Sequence, residues 1–344
     1  VLKKLVLAHR YLAELKGVVA TIPNENILVN TLSLQEAQDS SAVENIITTQ
    51  DEVFKAELFE EGLAVKPAAK EVSQYAAALK AGIELVQKTG VITSNHIIKI
   101  QQVLEHNTAE FRKLPGTALK NSSTGETVYT PPQDHSQILQ LMENLEGYIN
   151  DNDQCPHDPL IKMAIIHHQF ESIHPFYDGN GRTGRIICIL YLLKEELLQV
   201  PVLYLSRFII QNKDDYYRLL QEVRDTGKYE PWLLYMLEGV EQTAKQTIET
   251  VKNIKTLMID YKARIRKDLP KIYSQDLLNN LFKHPYTKIE YLEKDIGKTR
   301  ITATKYLDTL TEHGFLRKER IGKYNYYINE PLMNVLATTP KVNN

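Results

Sequence analysis

The stretch His174-Pro-Phe-Tyr-Asp-Gly-Asn-Gly-Arg-Thr-Gly-Arg185 lies between two apolar helical segments, and the reading of the whole chain turns on it. His174 offers a base that titrates near neutrality, and Asp178 offers hard carboxylate oxygen to a divalent cation. Gly179, Asn180 and Gly181 let the backbone turn its N–H groups toward an anion. Arg182 and Arg185 add planar forked donors for phosphate oxygens. The glycine turn feeds an apolar helical run to Leu193, so Thr183 and Gly184 belong to a first turn with unpaired N–H groups and partial positive charge. Arg182 and Arg185 sit three apart on that turn and reach one ligand. The bland alternative is a helix-capping loop with incidental charges.

The string resembles the signature of the Fic (filamentation induced by cAMP) family, H-x-F-x-(D/E)-G-N-G-R-x-x-R, and matches every fixed position. The resemblance implies a mainly α fold: a Fic-type helical core with a small β-hairpin flap. It also implies protein adenylyltransferase activity. In that activity ATP lies on Gly179 to Arg185, Mg²⁺ is held by Asp178 and phosphate oxygens, and His174 takes a proton from a Ser, Thr or Tyr hydroxyl. The target is another protein or the chain itself; AMP stays on its oxygen and pyrophosphate leaves. Phe176 points inward to fix the loop. Family members that hand over the terminal phosphate carry Lys where this chain keeps Gly181, so a phosphotransferase is the second expectation. A DNA-binding regulator with a vestigial core is the third, and the intact His174, Asp178 and Asn180 argue against it.

Apolar residues at helical spacing run from residue 1 to 19, and Pro23-Asn24 breaks the pattern. A second helix is expected from about Thr31 to Ile46, with Ser40 and Glu44 on one face. By itself Glu44 reads as a solvated carboxylate. Beside the signature, Ser40-Ser-Ala-Val-Glu44-Asn45 resembles the family's inhibitory motif, (S/T)-x-x-x-E-(G/N), in its N-terminal, class II position. The implied logic is competition: a carboxylate on Arg185 takes the place of an ATP γ-phosphate, since the fork serves one such anion at a time.

Two helices are expected between 72 and 107, the second capped near Thr93 to Asn95. Phe111 to Pro132 reads as a β-hairpin about a turn at Asn121 to Gly125. Its free edge could add an extended peptide strand without reading side chains. In the family this element is the flap, which docks the target; Thr117, Ala118, Leu119 and Lys120 are the residues here, with matches at Arg112 and Tyr129 to Pro132. Asp134 caps a helix to about Asn150, and another runs from Leu160 to Ile173. His167 and His168 lack metal-ligand spacing and read as packed, hydrogen-bonded histidines. Tyr216 and Tyr217 match positions that wall the adenine in family members, although Tyr217 suits a core equally well.

Pro231-Trp232 starts a long helix to about Arg266. Then come three helices (Ser274 to Phe282, Lys288 to Asp295, Thr299 to His313) and two strands about Gly322-Lys323, a winged helix-turn-helix layout. Residues 261–330 hold 15 Lys and Arg against 9 Asp and Glu, while the whole chain carries −2. A basic module on an acidic body is the footprint of a nucleic-acid backbone partner, and protein contact is the other use of this fold. The expected division is a helical region over 1–70, a Fic core over 71–265 and a winged-helix domain over 266–344. Cys155 and Cys188 form no disulfide framework, which together with the absence of a membrane span or leader points to a cytoplasmic protein. The chain begins at Val1, consistent with a trimmed initiator, and the family resemblance allows a homodimer.

Overall fold

The computed structural model describes residues 1–58, 66–120, 124–153, 156–321 and 324–337. The hairpin turn residues Asn121 to Ser123, Cys155 and the wing residues Gly322 and Lys323 lie outside them. In chain order the elements are α1 (Leu2–Val19), α2 (Asn26–Val43), α3 (Gln50–Leu58), α4 (Pro67–Thr89), α5 (Ser94–Leu104), β1 (Leu119–Lys120) and β2 (Thr127–Tyr129). There follow α6 (His135–Asn150), α7 (Pro159–Ile173), α8 (Asn180–Lys194), α9 (Ser206–Gln211), α10 (Lys213–Thr226) and α11 (Glu230–Asp268). The C-terminal part is α12 (Gln275–Lys283), β3 (Tyr286–Thr287), α13 (Ile289–Ile296), α14 (Arg300–Glu312), β4 (Arg317–Ile321), β5 (Tyr324–Ile328) and α15 (Glu330–Ala337). The fold is mainly α, as the sequence implies.

Local chemistry sets most boundaries. Thr93, Asp134, Asp158, Ser274 and Thr299 each accept a backbone N–H in the first turn of the helix they precede, contributions of about 1 kcal/mol apiece. The second helix differs from its expected span, starting at Asn26 and stopping at Val43. Asn45, at φ 64°, is what ends it: only Gly, or Asn and Asp at small cost, enters the left-handed region readily. The short helices α3, α9 and α15 and the strand β3 were not expected.

The core centres on α7 and α8, packed against each other and enclosed by α2, α4, α5, α6 and α11. Between Arg182 and Leu192 every residue of α8 is buried, so this helix has no solvent face and its polar groups must find partners inside. The hairpin β1–β2 is short and antiparallel, with a register shift between Leu119 and Lys120.

The C-terminal module joins the helices α12 to α14 to an antiparallel sheet in the order β3-β5-β4. The helix α11 runs 39 residues and crosses position 265 without a break. The module packs onto α2 and α3. Gln35 and Gln50 both donate to the Leu336 carbonyl, Phe54 stacks on Tyr286 with ring centroids 5.9 Å apart, and Lys55 pairs with Glu319 at 3.3 Å. Three basic residues of the module are ion-paired: Arg300 with Glu290, Lys318 with Asp308, and Arg317 with Glu319. Among the described residues no helix is long and apolar enough to cross a membrane.

Candidate active site

The motif loop joins the C-terminus of α7 to the N-terminus of α8. His174 caps α7 in the left-handed region at φ 49°, and Gly179 caps α8 at φ 75°. Asn180 braces the loop: its Oδ1 accepts the Phe176 N–H at 2.9 Å and its Nδ2 donates to the Phe176 carbonyl at 2.9 Å. The side chain is therefore spent on the loop, and what Asn180 can offer an anion is its backbone N–H. Thr183 N–H bonds to the Gly179 carbonyl at 2.9 Å, which leaves the N–H groups of Asn180, Gly181 and Arg182 as the helix-start donors with no partner among the described residues. Phe176 is buried against Phe111 and Phe170, so it points inward as expected.

The two arginines meet different partners. Arg185 is buried and donates through Nε to Ser40 Oγ at 2.8 Å, and through Nη2 to the Ser40 carbonyl and Glu44 Oε1, both at 2.9 Å. Burial opposes its charge, but Glu44 and neighbouring groups outweigh that and raise its pKa. The Glu44 carboxylate also lies so close to Gly181 that a Cβ there would collide with it. Arg182 instead binds two carboxylates of the scaffold, Glu105 at 2.8 Å and Glu71 at 3.3 Å. The Glu105 carboxylate packs over Gly179, where a Cβ would meet it.

The His174 imidazole is pushed down to about 4, first by burial and then by the Arg112 and Arg224 guanidiniums. It is thus neutral, the form a base requires. Asp178 is largely exposed, and its Oδ1 accepts the Gly179 N–H at 2.7 Å. Among the described residues no cluster of three or more His, Cys, Asp or Glu is arranged around a metal position. A single carboxylate beside a turn of open N–H groups fits Mg²⁺, which keeps water and phosphate ligands rather than an all-protein cage.

A cavity of about 980 Å³ opens over His174, Gly181 and Glu44. Ala118, Leu119 and Lys120 of the hairpin line it, while Thr117 uses its carbonyl to accept from Gln133 at the hairpin base. Both tyrosines reach this cavity, but in different ways. Tyr216 is the core residue: it is buried, its hydroxyl meets His167 Nε2 at 2.8 Å, and its ring packs with Trp232 and Tyr235. Tyr217, at 46 % exposure, presents its ring to the opening. His167 and His168 are packed and hydrogen-bonded, the latter to the Leu220 carbonyl, and burial pushes them down to about 3 and 4.

Four contributors escaped the sequence reading. Glu171 lines the cavity with Oε1 buried and no hydrogen-bond partner among the described residues, and burial lifts its carboxyl to about 7. Its place three residues before His174 was a usable signal. Tyr177 accepts the N–H groups of Lys113 and Leu114 at 3.1 and 2.9 Å, tying the motif loop to the hairpin. Arg224 and the Glu71–Glu105 pair had no signal near the motif, since each arrives from a distant helix.

Comparison with known proteins places three domain models along the chain. Residues 2–84 match the Fic/DOC family N-terminal model, 91–192 the Fic/DOC family model and 257–332 the C-terminal domain of SoFic-like protein adenylyltransferases. A protein adenylyltransferase fic-1 of Caenorhabditis briggsae is 27 % identical over 161 residues, covering 46 % of this chain and 30 % of that protein. A protein adenylyltransferase Fic of Aedes aegypti is 28 % identical over 160 residues, with the same coverage. The chain thus matches under a third of the length of these relatives. A crystal structure of a Fic family protein from Desulfovibrio desulfuricans G20 superposes with a TM-score of 0.57 at 19 % identity, over 94 % of this chain and 95 % of that one. Fic-1 (residues 134–508) from C. elegans superposes at 0.54 and 18 % identity, covering 71 % and 72 %.

Proposed function

As the chain belongs to the Fic/DOC family, we propose that it is a protein adenylyltransferase, moving AMP from ATP to a Ser, Thr or Tyr hydroxyl of a protein, itself included. We propose further that Glu44 restrains it. The observation that carries this reading is the meeting of a neutral, half-buried His174 with an open helix N-terminus beneath one cavity.

In this reading the N–H groups at the start of α8 receive the phosphates, and Tyr217 offers the adenine a face. Asp178 would hold Mg²⁺, which supplies charge neutralisation at the phosphates when bound. His174 takes the proton from the target hydroxyl; that oxygen bonds to the α-phosphorus, and the bond from the α-phosphorus to the bridging oxygen breaks, releasing pyrophosphate. Ser40 and Glu44 hold Arg185, so a γ-phosphate that needs its fork must first displace the carboxylate. Gly181 supports AMP rather than phosphate transfer, because the family members that hand over the terminal phosphate carry Lys at this position.

The test uses Glu44→Gly protein with Mg²⁺ and ATP labelled separately at the α and γ positions. Label from the α position in protein is expected. Label from γ alone would establish a phosphotransferase, and neither would leave the C-terminal module's binding partner, DNA among the candidates, as the centre of function.

A further inference from the structure

Resting on the reading above, we propose that Arg224 is a positioning residue that makes the hairpin and the His174 loop one mechanical unit, so that a strand added to the hairpin is delivered in register with the base. The last carbonyls of a helix lack partners within it and carry its negative end. At α7 four successive ones are claimed from outside. Arg224 Nη2 donates to the Glu171 carbonyl at 3.1 Å, and the Tyr129 hydroxyl donates to the Ser172 carbonyl at 3.0 Å. Arg112 donates to the Ile173 carbonyl at 3.5 Å and the His174 carbonyl at 2.9 Å.

Two of these donors belong to the hairpin's stalks. Tyr129 ends β2, and Arg112 precedes β1, its own N–H bonding to the Pro175 carbonyl at 2.8 Å and its guanidinium to the Pro132 carbonyl. Arg224, from the last turn of α10, fastens the arrangement. Its guanidinium carbon lies 4.0 Å from the Tyr129 ring centroid, and its Nε donates to Ser172 Oγ at 3.1 Å. The Tyr129 ring is therefore held under a cation whose hydrogen bonds end on the same helix turn that its hydroxyl caps. A half-buried cation–π pair with two charge-assisted hydrogen bonds is strong enough to fix a two-stranded hairpin, which alone is marginal.

The experiment compares Arg224→Met, which keeps the stem and removes the fork, with Arg224→Lys, which keeps a cation over the ring, both in Glu44→Gly protein. Self-modification from ATP is measured at saturating nucleotide, ATP affinity by titration, and amide hydrogen exchange over 124–130 and 170–176. Expected for Arg224→Met are a transfer rate down ~10- to 100-fold, ATP affinity within about twofold, and exchange rising together in both segments. Arg224→Lys is expected to recover part of each. Equal losses in transfer and ATP affinity would make Arg224 a nucleotide ligand and overturn the proposal, as would unchanged exchange over 124–130. Were Glu44→Gly protein to carry no AMP at all, the adenylyltransferase reading would fall while the exchange comparison still decided the mechanical coupling.

Discussion

The surroundings of Arg182 and of Arg185 differ more than their places in the sequence suggest. Both guanidiniums leave the first two turns of α8, and both are neutralised by carboxylates. Arg182 is held by Glu71 on α4 and Glu105 at the end of α5, two scaffold helices packed on α8. Arg185 is held by Ser40 and Glu44 at the C-terminal end of α2, where the Glu44 side chain is 34 % exposed and the chain turns away at Asn45. Glu44 and Glu105 each stand one residue past the end of their helix. Glu105, however, is 17 % exposed and shares Arg182 with the second carboxylate of Glu71, whereas Glu44 is 34 % exposed and shares Arg185 with the hydroxyl and carbonyl of Ser40. On the proposed reading, the same chemistry gives a structural pair at one arginine and a switch at the other.

The largest effect tests the shared chemistry. In Glu44→Gly protein, His174→Ala should lower transfer by about 10²- to 10⁴-fold, read as incorporation of α-label, with ATP binding retained. Next, Glu44→Gly alone should raise transfer by about 10- to 100-fold, the equivalent of the 1.5–3 kcal/mol typical of a hydrogen bond to a charged group; a rate equal to wild type would break the distinction between the two arginines. Ser40→Ala removes the acceptor of Arg185 Nε but leaves the Ser40 carbonyl, so activation of about tenfold or less is expected in the same assay. Glu105→Gln should give no activation, only a lower melting temperature, because Glu71 still holds Arg182. Transfer rising as it does in Glu44→Gly would make Arg182 a second switch.

A smaller effect concerns pH. Glu36, one turn before Ser40, is fully buried, bonded to Tyr75 and Ser206, and lifted by burial to about 7. Its unfolded carboxyl titrates near 4.5, so between those values the folded chain holds a proton that the unfolded chain has released. Its contribution to stability is whole below the window and declines as pH rises through it, by at most about 1.4 kcal/mol per pH unit. Glu36→Gln should flatten that slope in denaturation measured from pH 4.5 to 7.

The motif and its neighbours were legible because their chemistry is local. A glycine turn ahead of an apolar run names a helix start, and Ser40 with Glu44 four residues on names a shared face; the structure brings both to Arg185. The cap at Asp134 and the glycine stop at Gly314 are written in single residues. What could not be read depends on residues far apart in the chain. Glu71 and Glu105 are ordinary helix carboxylates until α4 and α5 pack on α8. Arg224 looks like a surface charge on an amphipathic helix until it meets Tyr129. The roles of Tyr216 and Tyr217 hinge on a rotation of about 100° around α10, which no pair of adjacent identical residues can reveal. The strand β3, two residues long, exists only because β5 offers it an edge.

One consequence follows from how α2 is moored. Near its middle, Gln35 is fastened to the last helix of the chain through the Leu336 carbonyl, while Glu36 is fastened to Ser206 and Tyr75. The helix therefore has no freedom to swing as an arm. On the proposed restraint, the cheaper way to lift Glu44 is to unravel the roughly two turns between those moorings and Val43, so the catch would be about two helical turns long with the rest of α2 left in place.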